Sequence, residues 1–201
     1  MDALAATWVR NLCGVKFWMI VRNTEMEEDD WAAFLQSGSH WKPNGKERLV
    51  VLETDDVLIM SPGIRIIHAV LTPESNLMEG GMFWDDRNLL NILSVLHNIG
   101  RHQASTNEPI PFQLPRIIDR LEKLVSTDFN RFKAQDTGFE ALFADRVRDM
   151  RDLGCCCQKR KCSPRGCSCL QESRRCTSFC SKHTSLPPNS VNTCMSEDSI
   201  V

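Results

Sequence analysis

The sequence predicts a mainly β fold with added α structure: an antiparallel sandwich or barrel, then about three helices, then a cysteine-rich and mostly irregular tail. Three observations predict it. Short alternating runs separated by turn residues fill the first part of the chain, helical apolar spacing replaces them after Asp85, and nine of the ten cysteines fall between Cys155 and Cys194. With 201 residues, 42% of them hydrophobic, the chain is long enough for one ordinary core plus extensions.

Thr7 to Val21 is rich in β-branched and aromatic residues and is broken only at Cys13-Gly14-Val15, so it reads as two strands around a tight turn. Asn23 to Lys46 is acidic and then dotted with Gly, Ser and Pro. There Trp31, Phe34, Leu35 and Trp41 are spaced as a short helix and its docking residues. Four further strands follow in RLVVLE, VLIMS, IRIIHAVLT and LMEGGMFW, with TDD, Pro62-Gly63 and PESN between them. Asp85-Asp86 opens a helix carrying Leu89, Leu90, Ile92, Leu93, Val95, Leu96 and Ile99, and Gly100 suits its stop. Pro115 stands at a first helical position, before RIIDRLEKLV. Thr137-x-x-Glu140 is a capping-box pattern ahead of Phe139, Leu142, Phe143, Val147 and Met150, with Gly154 as the stop. Asp55-Asp56 and Asp85-Asp86 thus belong to a turn and a helix start, and Trp8, Trp18 and Trp84 to the core.

The expected organisation is a β portion with its packing helix over 1–100, a helical extension over 101–154, a cysteine-rich segment over 155–183 and a tail of disordered composition over 184–201. Charge follows the same division. Residues 155–201 hold seven basic against three acidic side chains, whereas the preceding 154 hold 17 against 23. A polyanionic partner would therefore meet the tail. No window approaches the roughly 18 apolar residues of a membrane span, and the N-terminus lacks the pattern of a secretory signal. The expectation is an intracellular protein with no membrane partner.

PGIRIIHAVLTPESNLMEGGMFW, together with the earlier GVKFW, resembles the C-terminal half of JmjC domains. These are the cupin-fold Fe(II)/2-oxoglutarate oxygenases that include histone lysine demethylases and protein hydroxylases. The resemblance covers about residues 2 to 85 and implies a partial cupin or jelly-roll, the double-stranded β-helix. In that family iron is held by a His-x-Asp/Glu pair on one strand and a His on a later one. Residues two apart on a strand share a face, so such ligands converge and leave positions open for co-substrate and oxygen.

By this resemblance His68 is the later histidine, Asp2 is the iron-binding carboxylate, and Lys16 pairs with the distal carboxylate of 2-oxoglutarate. The first histidine would precede Met1, so the resemblance implies an N-terminally truncated domain that lacks one iron ligand. Alternation with Trp18 and Ile20 puts Lys16 on a face read as buried, where an ammonium requires an anionic partner. An outward Lys16 on a solvated face beside Arg10 is the alternative, as is Asp2 as a polar residue at a frayed terminus. His40, His97 and His102 fall in a loop, a helix and a linker, and their spacing recommends none of them as a ligand.

In the tail, Cys157, Cys162, Cys167, Cys169, Cys176 and Cys180 stand at short, irregular intervals with His183 beyond them. Thiolates so close can wrap zinc tetrahedrally, and metal binding then substitutes for an absent apolar core. Two functions follow. One is an oxygenase in which iron and 2-oxoglutarate activate O₂ to hydroxylate a protein substrate, a histone among the candidates, with N-methyl hydroxylation leading to demethylation. The other is a non-catalytic, nuclear interaction protein whose zinc-stabilised basic tail binds nucleic acid or chromatin.

Overall fold

A computed structural model of the chain describes residues 6–106, 110–133, 138–155, 166–174 and 176–180. The fold is mixed β and α, and it divides into two compact units, Met1–Glu108 and Pro109–Val201. The cysteine-rich segment is therefore grouped with the preceding helices.

The first unit holds strands β1 (Thr7–Cys13), β2 (Lys16–Arg22), β3 (Arg48–Leu52), β4 (Val57–Met60), β5 (Ile66–Leu71) and β6 (Leu77–Met82). They form two antiparallel three-stranded sheets, ordered β4-β1-β6 and β3-β2-β5. Both strands expected between Thr7 and Val21 form, yet they do not pair with each other: each is the central strand of a different sheet. Gly14 makes the crossing. Its φ is +75°, and a Cβ there would lie 2.3 Å from the Ser75 carbonyl oxygen, so the corner takes glycine alone. Connections β3–β4, β4–β5 and β5–β6 also change sheet, which is the interleaving of a jelly-roll.

The sheets bury their facing sides against each other. Trp18, Ile20 and Leu52 of one meet Met60 of the other, with Val9, Val50, Leu58, Ile66 and Met78 packed around them. Asn11 is the polar exception at 0% exposure. Its Nδ2 donates to the carbonyls of Gly14 (2.6 Å) and Leu52 (3.1 Å), which pins the corner to β3. Trp8 is only half-buried, and its indole lies close over Gly81 on the outer side of its sheet.

Helix α1 (Glu28–Ser37) occupies the long β2–β3 connection, where Phe34 is buried between the rings of Trp31 and Trp41. After the sheets, Asp85 accepts the Asn88 backbone N–H at 2.7 Å and starts α2 (Leu89–Arg101). Leu89, Ile92, Leu93, Val95, Leu96 and Ile99 make its buried stripe as expected. Gly100 does not stop this helix: it lies within it, buried, and the chain turns out only at His102.

The second unit contains α3 (Leu114–Thr127), α4 (Phe129–Lys133), α5 (Phe139–Arg151) and α6 (Ser168–Gln171). Pro115 sits in the first turn of α3, where a missing N–H costs nothing. The residue capping α5 is Gly138, with φ +94°, and Thr137 lies outside the described residues. Phe132, Phe139 and Phe143 stack in series, with centroids 5.6 and 5.8 Å apart. The disordered composition expected over 184–201 also concerns residues outside those described. No helix among the described residues is long and apolar enough to cross a membrane.

Candidate functional site

Two places gather chemistry-bearing side chains. The first is the inward face of the β3-β2-β5 sheet. Lys16, Trp18 and Ile20 share this face by strand alternation, and Trp18 and Ile20 belong to the core between the sheets. Register sets His68 opposite Ile20 and Val70 opposite Trp18, so His68 faces the same way. Lys16 thus points inward. Arg10, its alternative neighbour, lies on the outer side of the other sheet, paired with Asp55 (2.6 Å) and Glu79 (3.8 Å).

The Lys16 ammonium donates to Thr72 Oγ1 at 2.5 Å, just past the end of β5. The His68 ring tilts against that of Trp18, with centroids 5.2 Å apart, and its Nδ1 is buried. Lys16 and the Ile20–His68 pair stand four residues apart, about 13 Å along the strand, and Trp18 is between them. Core packing does not continue out to the edge. Val70 and Met82, whose strand positions face the other sheet, are 41% and 44% exposed, and Gly80 is exposed too. Exposure therefore rises along β5 and β6, and Lys16, Thr72 and His68 share the inward side of the β3-β2-β5 sheet.

Other expectations resolve locally. Asp56 accepts the Glu53 N–H at 2.8 Å within the β3–β4 turn, and Asp55 has φ +71° there, so both are turn residues. His40 sits in a single 3-10 turn, His97 in α2, and His102 just beyond α2, where burial and then Arg101 and Arg65 lower its pKa. Asp2 lies outside the described residues. Among those described, His68 is not joined by two further ligating side chains.

The second place is a thiolate knot. Cys155 follows α5, Cys167 and Cys169 flank the start of α6, and Cys176 comes round on the turn beyond. Their four sulfurs all lie within 4.8 Å of one another, and the first three residues are buried. A tetrahedral zinc with bonds of about 2.3 Å needs sulfurs about 3.8 Å apart, so the set fits after slight contraction, and soft thiolates are zinc's usual structural ligands. Cys167, Cys169 and Cys176 were expected. Cys155 was not, because a run of three adjacent cysteines does not reveal which one turns inward. Cys157 and Cys162 lie outside the described residues.

Cys180, also buried, approaches from the side, its Sγ 3.7 Å from that of Cys169. It accepts backbone N–H bonds from Cys155 and Thr177, each at 3.3 Å. Hydrogen bonds from Cys169 and Cys176, with those N–H groups, pull its pKa far down against burial. Cys169 moves the other way, to about 12. The Cys176 hydrogen bond favours its thiolate, but the bond to Cys180, burial and the charges of Cys180 and Cys155 outweigh it. The two neighbouring thiols therefore shift in opposite directions as a coupled pair.

The scaffold around the sulfurs is built from backbone. The Leu153 carbonyl accepts from Arg174 Nη1 at 3.1 Å and Thr177 Oγ1 at 3.5 Å, while Arg174, 4% exposed, also donates to Glu172 at 2.7 Å. Gly154 is required because a Cβ there would sit 2.3 Å from the Phe179 carbonyl oxygen. Four cysteines held this way can bind a metal ion such as zinc.

No protein-family model matches the chain. It is similar to "KK-1 biosynthesis cluster protein D" of Curvularia clavata, 49% identical over 122 residues. The similar stretch is 61% of this chain and 12% of that protein, so the chain spans about an eighth of the relative's length.

Proposed function

We propose that the inward sheet face is the C-terminal half of a JmjC-type Fe(II)/2-oxoglutarate oxygenase site, and that the thiolate knot is a structural zinc site. The observation that carries the first part is Lys16, an inward ammonium held on Thr72, on the same sheet face as His68. That face fits a carboxylate-bearing ligand, since an inward cation requires an anion and a hydroxyl beside it supplies a second donor. His68 would bind iron through its imidazole with Asp2 as the carboxylate ligand, and Lys16 would orient the co-substrate.

Iron and 2-oxoglutarate, when bound, would supply O₂ activation for hydroxylating a C–H bond of a protein substrate, including a histone methyl-lysine. The core around Trp18 and Ile20 would keep water from the part of the face next to His68. The first metal-binding histidine of the JmjC pattern would lie ahead of Asp2. The test is 2-oxoglutarate turnover by the purified chain with Fe(II). Turnover that disappears in His68→Ala supports the reading, and no turnover by the intact chain defeats it for this polypeptide.

A second reading rests on the knot itself. Zinc would hold the basic segment rigid for contact with nucleic acid or chromatin, with a nuclear location to match. It requires nucleic-acid affinity that falls steeply with salt and vanishes when residues 155–201 are removed; affinity that survives the truncation refutes it.

A further inference from the structure

Five thiols meet in the knot, and one tetrahedral zinc takes only four. Cys155, Cys167, Cys169 and Cys176 already make a complete set, their sulfurs within 4.8 Å of one another. Cys180 stands outside that set, yet it is built in as closely as the rest. It is 0% exposed, and its Sγ is 3.7 Å from that of Cys169, against about 3.8 Å for two sulfurs on one zinc. It also hydrogen-bonds Cys176. The backbone N–H groups of Cys155 and Thr177 converge on it from 3.3 Å each, and the turn that aims the second is closed by the Cys180 N–H on the Thr177 carbonyl at 3.0 Å. A neutral thiol is a weak acceptor, so two converging donors mark a sulfur placed to carry negative charge. A buried anion requires a cation. Among the described residues the one buried cation is Arg174, and it is committed to Glu172 at 2.7 Å and to the Leu153 carbonyl at 3.1 Å. Five thiolates around one divalent ion would leave three negative charges uncompensated, and a second such ion leaves one.

We propose that the knot is a two-metal cluster, in which a second zinc ion binds Cys180 and shares thiolates with the first. This rests on the reading of the knot as a zinc site. The first ion takes Cys155, Cys167, Cys169 and Cys176. The second takes Cys180 as its own ligand, shares Cys169 and Cys176 as bridges, and leaves its fourth position to a further donor. Sulfur permits this where imidazole does not, because a thiolate keeps lone pairs for a second metal and a neutral imidazole has one. The shared sulfurs tie the end of α5, the start of α6 and the turn at Cys180 into one unit.

The test uses the full chain, purified with zinc and, in parallel, with zinc exchanged for ¹¹³Cd. Elemental analysis should find two zinc ions per chain in the wild type and one in Cys180→Ala. The ¹¹³Cd spectrum of the wild type should show two resonances split by coupling to each other, because only a shared sulfur joins the metals through bonds. A single unsplit resonance should remain in Cys180→Ala. One zinc per chain in the wild type overturns the second ion and leaves the single structural site standing, and two zinc ions without ¹¹³Cd–¹¹³Cd coupling overturn the sharing. A wild-type chain that binds no metal overturns this proposal together with the zinc reading beneath it. Should Cys180→Ala fail to fold, the wild-type coupling decides alone: its presence supports the shared cluster, and its absence overturns it.

Discussion

At the scale of single residues, position matters more than residue type. Gly14→Ala would force a side chain into positive φ and against the Ser75 carbonyl, so we expect a loss of about 1–3 kcal/mol, read as a lower urea midpoint at unchanged slope. Glu25 makes a pH prediction. The hydrogen bond from Arg22, opposed by burial and aided by Arg48, lowers its carboxyl from 4.5 to about 2. A carboxyl depressed in the folded state stabilises fully above its unfolded pKa and loses that contribution as pH falls through the folded one. Stability should therefore decline between about pH 4.5 and 2, and Glu25→Gln should flatten that part of an acid-unfolding curve. Alternation alone placed Lys16 with Trp18 and Ile20 on one face. It could not give the Thr72 contact or the tilt of His68 against Trp18, because both depend on which strand lies alongside.

At the scale of elements, the helices and strands were legible where apolar spacing was regular. The α2 stripe is the clearest case, and Leu93, at 0% exposure, tests it: Leu93→Ala should cost about 2–5 kcal/mol in chemical denaturation. The five-residue α4 was not legible, since a single turn of helix leaves no period to read. The end of α2 was misplaced because a glycine does not by itself end a helix, and Gly100 is buried within it. Of the knot, the residue types and their neighbourhood were legible, but Cys155 was not, because α5 decides which cysteine of three leads into the cluster. Cobalt substitution should show the thiolate charge-transfer and tetrahedral d–d bands, which Cys169→Ser weakens and Cys13→Ser, in strand β1 of the first unit, leaves unchanged.

For the whole molecule, metal content should follow the second unit. Residues 109–201 expressed alone should carry the zinc, residues 1–108 should carry none, and elemental analysis of the two pieces checks both statements. The number of strands could be read along the chain, but their sheet membership could not. A period of two marks a strand and its buried side without naming the partner, so the split of β1 from β2 awaited the structure.

That split bears on how the chain acquires its fold. One sheet needs the first, fourth and sixth strands, the other the second, third and fifth, so the second has all its strands once synthesis passes Leu71 and the first only after Met82. β1 must wait for partners some seventy residues downstream, as its register from Thr7 with Met82 to Cys13 with Leu77 shows. Such long-range pairing is slow, in the millisecond-to-second range, and because each sheet buries its apolar face only against the other, the two should appear in one kinetic phase. A chain released short of β6 would leave the β4-β1-β6 sheet incomplete, and the apolar inward face of the other sheet would be uncovered and open to chaperones or to other nascent chains.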